Sequence, residues 1–124
     1  MWTSTGDVNI GPDDFKTVAS LSLPAGTFIV LVTGEVNNNV TGNVEADCNV
    51  TENGFPSIGG FGVQTELTDV GHSVIPASAS GIADEQEPFM VNVRCLTLGS
   101  NDDNDFVHYD LRLTAFRVGA VVSQ

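Results

Sequence analysis

The 124 residues carry 16 acidic side chains against four basic ones, a net charge of −12, in a chain that is 41% hydrophobic with 13 glycines. Phosphate backbones are held by clustered Lys and Arg, so this balance argues against nucleic acid, and anionic membrane surfaces are disfavoured for the same reason. Apolar runs reach only about seven residues, far short of the roughly 20 of a membrane span. The length suits one domain that can bury most of its apolar surface without a structural metal.

Residues 1–14 read as an N-terminal extended arm that closes in the turn Gly11-Pro12-Asp13-Asp14, leaving residues 15–124 as the folded domain. The opening M-W-T-S-T-G-D-V-N has neither a basic nor an apolar segment, so no signal peptide is expected there. Met1 is then either a native start or one added to a mature secreted form, and the cysteines suit the second. Trp2, the one tryptophan, is expected to pack on the body or on a neighbouring subunit. Phe15 to Leu23 alternates, with Phe15, Thr17, Ala19, Leu21 and Leu23 on one side and Lys16, Ser20 and Ser22 on the other. Pro24-Ala25-Gly26 makes a tight connection.

Thr27 to Val36 contains F-I-V-L-V, apolar on both faces and rich in β-branched residues, as a central strand covered on both sides would be. Phe28, Val30 and Val32 fall on one face and Ile29 and Leu31 on the other. A two-layer sandwich covers only one of them. The second is assigned here to a homo-oligomer interface through Ile29 and Leu31, with a docked loop such as Phe55–Phe61 as the alternative cover.

In N-V-E-A-D-C-N-V-T, Val44, Ala46, Cys48 and Val50 alternate with polar residues, and in Phe89 to Leu98, Val91, Val93 and Cys95 share a face opposite Asn92 and Arg94. Two cysteines on the apolar sides of alternating strands are well placed to meet in a two-layer core, so a Cys48–Cys95 disulfide is expected. The alternative is two isolated buried thiols. Neither cysteine belongs to a C-x-x-C motif or has histidines at ligand spacing, which argues against zinc. A disulfide implies an oxidising compartment.

Glu52 to Gly62 reads as a loop whose apolar residues dock. Val63 to Val70 is a strand, Ser73 to Ile75 a short strand ending at Pro76, and Ala77 to Pro88 a flexible surface connection. Phe106 to Val118 is the last long strand, where the apolar phase changes beyond Ala115 to Phe116 and Val118, as a β-bulge would cause. No segment shows a capped helical period. About eight short strands between Gly, Pro and Asn turns predict an all-β, single-domain antiparallel β-sandwich, jelly-roll-like.

Leu21 to Val30 (L-S-L-P-A-G-T-F-I-V), the cysteine strand, V-N-V-R-C at Val91–Cys95 and L-T-A-F-R-V-G at Leu113–Gly119 resemble a group of small secreted bacterial β-sandwich proteins. These are similar in turn to the tumour-necrosis-factor and complement-type jelly rolls. The resemblance implies a jelly roll, often trimeric, with binding or structural roles and no catalytic residues to carry over.

Asn101, Asp103 and Asp105 place oxygens at alternating positions and could wrap calcium, although Phe106 and Arg112 stand where an EF-hand needs Gly and Glu. The competing reading is a solvated hairpin tip. His72 beside Ser73, and His108 with Asp110, supply the only imidazoles. The second pair shares a face and could interact, most simply in a structural role. No phosphate-binding loop or nucleophile elbow is present, so no enzyme activity and no cofactor other than calcium are expected. The leading reading is a non-enzymatic, secreted or surface-exposed structural or binding domain that self-assembles, a trimer being the expected homo-oligomer, with a protein or glycan ligand. One alternative is a virion component, such as a phage decoration or fibre-head domain. Another is a carbohydrate-binding module using Trp2, Tyr109, Phe55 or Phe61.

Overall fold

A computed structural model describes residues 1–11, 15–38, 42–53, 57–67, 73–98 and 107–119. They form eight strands: β1 (Trp2–Ile10), β2 (Phe15–Leu23), β3 (Gly26–Asn38), β4 (Gly42–Glu52), β5 (Ser57–Leu67), β6 (Ser73–Glu85), β7 (Phe89–Leu98) and β8 (Val107–Arg117). One antiparallel sheet, the front sheet, has the order β1-β8-β3-β6, and the back sheet has β2-β7-β4-β5. Every connection except β4–β5 crosses from one sheet to the other. This is the double-sheet jelly-roll arrangement, and it establishes the all-β sandwich. Among the described residues no helix is long and apolar enough to cross a membrane.

Period-two alternation builds the core. Phe28, Val30, Val32 and Val36 of β3 and Val107, Tyr109, Leu111, Leu113 and Ala115 of β8 face Ala46, Cys48 and Val50 of β4 and Phe89, Val91, Val93 and Cys95 of β7, all buried. Each such large side chain contributes about 1.5–3 kcal/mol. Cys48 and Cys95 are directly opposed in the β4–β7 register and are bonded, so the bridge joins neighbouring strands of one sheet on its core face. A buried polar link crosses the layers at the Tyr109 hydroxyl, which donates to Leu96 O at 3.4 Å and lies 2.8 Å from Thr97 Oγ1. At one end Phe28 meets Trp2 and Phe89 edge-on, at centroid distances of 5.2 and 5.8 Å. The Arg117 guanidinium lies over the Trp2 and Phe28 rings and donates to Ala25 O at 2.9 Å.

Both open sides of the sandwich are drawn together by backbone contact at glycine. A Cβ on Gly6 of β1 would sit 1.7 Å from the Val18 carbonyl oxygen of β2. On the other side a Cβ on Gly81 of β6 would sit 1.9 Å from Ile58 O of β5, and one on Gly59 would sit 2.7 Å from Ser80 O. Edge strands of the two sheets therefore pack backbone to backbone, where any side chain would hold them apart.

Several sequence expectations change. Trp2–Ile10 is no arm: β1 pairs with β8 from Trp2↔Ala115 to Ile10↔Val107. In β2 the register shifts between Thr17 and Ala19, so Val18 turns inward beside Ala19, and Phe15 is 45% exposed. β5 begins at Ser57, within the supposed loop, and the supposed connection Ala77–Pro88 is mostly β6. Ser73–Ile75, read as a short strand, is the start of β6; the rest escapes a hydrophobicity reading because it is an edge strand pressed against β5, where small residues are required, and Pro76 is tolerated at such an edge. Finally, β8 has no bulge. Its pairing runs unbroken to Arg117, Ala115 stays in the core phase, and Phe116 points outward.

Two measurements check this account. Gly81→Ala should lower the unfolding free energy by about 1–3 kcal/mol in urea. Gly119→Ala, whose added carbon meets nothing within 4 Å, should leave it unchanged. A thiol assay in denaturant without reductant should find no free thiol. Reduction should cost about 4 kcal/mol in the chain-entropy account of a bond spanning 47 residues. Two reactive thiols would remove the bond and the inference to an oxidising compartment together.

Candidate interaction face

The outward surface of the front sheet is arranged in lateral rows fixed by strand register. Next to a terminal row of Thr27 and the exposed Asp84, Phe116, Ile29 and Ile82 are aligned across β8, β3 and β6, and are 40%, 42% and 67% exposed. The next row is Thr3, Thr114, Leu31 and Ser80, with Leu31 half-buried. Thr5, Arg112, Thr33 and Ser78 follow, then Asp7, Asp110 and Glu35, then Asn9, His108 and Asn37. The face thus runs from the exposed Asp84 beside Thr27, across the apolar row, through hydroxyls and one arginine, to a row of three carboxylates. Like charges directly opposite one another destabilise strand pairs, and His108 Nε2 lies 2.7 Å from Asp7 Oδ1.

Ile29 and Leu31 therefore lie on the face opposite the core, as the β3 alternation implied. Periodicity alone does not find the neighbours that make a patch of them: it attributes Phe116 to a bulge and Ile82 to a flexible connection. Only the register Phe116–Ile29–Ile82 brings them together, and nothing in local periodicity encodes it.

Among the described residues the other candidates are not assembled into a site. His108 turns sideways to Asp7 and to Asn9 Oδ1 on β1 and does not pair with Asp110. Residues two apart along one strand sit about 7 Å apart, whereas a lateral neighbour is closer. Tyr109 is fully buried, which removes it as a sugar-stacking platform. Trp2 is half-buried against Phe28. Arg94 lies in the back sheet with its guanidinium 4.2 Å above the Phe15 ring. The calcium candidates Asn101, Asp103 and Asp105, together with His72, Phe55 and the Phe61 side chain, lie outside the described residues. Among the described residues no group of three or more metal-ligating side chains comes together. Compared with known proteins, the chain matches no family model and no curated sequence.

Tyr109 offers a direct check on the burial that excludes it. Desolvation raises its hydroxyl from 10.0 to about 12, against a smaller lowering by the Thr97 hydrogen bond. It is the one tyrosine in the chain, so alkaline titration at 295 nm reads it alone. Ionisation is expected near 12 in the native protein and near the unperturbed value of about 10 in denaturant. A raised folded value means this stabilisation is intact below about 10 and disappears as pH climbs through about 12.

Proposed function

We propose that this chain is a non-enzymatic structural or binding domain, secreted or surface-exposed, that assembles with copies of itself through the outward face of the front sheet. The observation that carries this reading is the exposed, uncharged row Phe116–Ile29–Ile82, with Leu31 beside it. Contiguous apolar patches of this kind are seldom left open on monomers. A second copy is the occupant that fits best, because an uncharged apolar strip is complementary to itself and closed symmetry buries it without any further partner. Glycine-mediated contact between β1 and β2, and between β5 and β6, disfavours edge-to-edge pairing as the route of association. A trimer is the expected state, by the resemblance to trimeric jelly rolls. The Cys48–Cys95 bond supports an oxidising, extracellular setting.

Sedimentation velocity and native mass at micromolar concentration test the reading. The wild type should run as a homo-oligomer. Ile29→Asp and Leu31→Asp should each give a folded monomer, because both side chains face away from the core. A monomeric wild type, or variants that unfold instead of dissociating, would refute it.

A further inference from the structure

β4 continues its inward phase past Cys48 and Val50 to Glu52, a carboxylic acid that is only 7% exposed between the sheets. Across the gap, at the end of β6, stands Glu85, half-buried and opposite Gly26 of β3. The Glu85 carboxyl and the Asp84 backbone N–H are the polar groups that act on the buried Glu52 carboxyl. Two carboxyl groups can share a hydrogen bond only while one of them holds a proton. The Arg117 guanidinium lies over Gly26, the cross-strand partner of Glu85. The charged groups that face Glu52 from β6 are Asp84 and Glu85, β7 presents Val91 beside it in register, and β3 contributes Gly26 and Thr27 at that level. Asp84 is itself engaged by the Thr27 hydroxyl at 2.8 Å. Beside Glu85 a surface hollow is lined by Asp84, Gln86 and Glu87. Arg117, at the same end of the sandwich, is directed to the Trp2 and Phe28 rings and to Ala25 O.

We propose that Glu52 and Glu85 form a proton-dependent latch between the two sheets, closed in mild acid and released as the pair loses its shared proton. Burial is the largest cause, followed by the hydrogen bond and charge of Glu85, and together they raise Glu52 from 4.5 to about 7. The folded value lies above the unfolded one. The latch therefore contributes fully below about 4.5, and its contribution is lost as pH rises through about 7. Release separates the end of β6 from the end of β4. There Asn53 continues the chain through a clasp on β7, with Asn53 N donating to Met90 O at 2.7 Å and Met90 N to Asn53 Oδ1 at 3.0 Å. The latch is independent of the assembly reading.

Carboxyl carbon NMR of the intact protein decides the matter. The Glu52 signal should titrate near 7, and Glu85→Gln should move that midpoint down toward the ordinary glutamate range. A wild-type midpoint in the ordinary range would overturn the latch, and a midpoint unmoved by Glu85→Gln would overturn the pairing. In parallel, the melting temperature of the wild type should fall between pH 5 and pH 8 more steeply than that of Glu52→Gln, whose amide can donate to Glu85 at any pH. The difference between the two proteins cancels the histidines, and parallel slopes would count against the proposal. If Glu52→Gln fails to fold, amide exchange of the wild type replaces it. The Asp84 and Glu85 amides should exchange about tenfold faster above pH 7.5 than base catalysis alone explains, and a rise no larger than base catalysis would overturn release.

Discussion

Two four-stranded sheets leave four edges, and in this molecule the edges are brought into contact in pairs through glycine. Gly6 lies against the Val18 carbonyl on one side, and Gly81 and Gly59 lie against the Ile58 and Ser80 carbonyls on the other. The approach sets the separation of the layers along both borders, and the inner side chains must fit the space that results. Small inner residues on β6 (Ala79, Ala83) and the full burial of Phe28 and Tyr109 nearer the middle follow from that taper. With the borders drawn in, the broad outward faces are the principal surfaces left for other molecules.

Among the described residues few polar groups lie within this shell, and one of them, the Thr51 hydroxyl, has no hydrogen-bond partner. The Tyr109–Thr97 pair joins β8 to β7 across the layers. Glu52 and Glu85 do so between β4 and β6. The covalent bond acts differently: it fixes the β4–β7 register within the back sheet and leaves the two layers to be held by packing. Of the four basic residues, Arg94 and Arg117 lie over aromatic rings and Lys16 reaches Asn9 O at 3.4 Å. Arg112 remains as the central cation of the front face.

Strands whose inner faces carry large side chains were legible in the chain: β3, β4, β7 and β8 follow period-two alternation closely, and the cysteines could be placed on core faces from it. The failures lie where other physics governs. Residues 77–81 of β6 are Ala, Ser and Gly because a backbone approaches them, so no hydrophobic pattern marks that stretch. β1 has a core-facing glycine for the same reason and read as an arm. In β2 a shift at Val18 reverses Phe15, while in β8 an outward Phe116 imitated a shift that is absent. Ile29 and Leu31 were identifiable as outward, but the lateral row they belong to depends on which strands are neighbours. That is a property of topology, and one strand's sequence does not contain it.

The pairing of Trp2 with Ala115 also has a consequence for how the molecule comes to exist. β1 has β8 as its sole neighbour in the front sheet, so during synthesis it waits for nearly the whole chain, on the order of ten seconds at ordinary elongation rates. β4 and β7, by contrast, can pair and oxidise before β8 emerges. The back sheet can therefore mature as a cross-linked half while the front sheet stays open, lacking the strand that occupies the place between β1 and β3. Such non-local order places the molecule among slow folders. In that interval the inner faces of β1 and β3 lack the strand that lies between them.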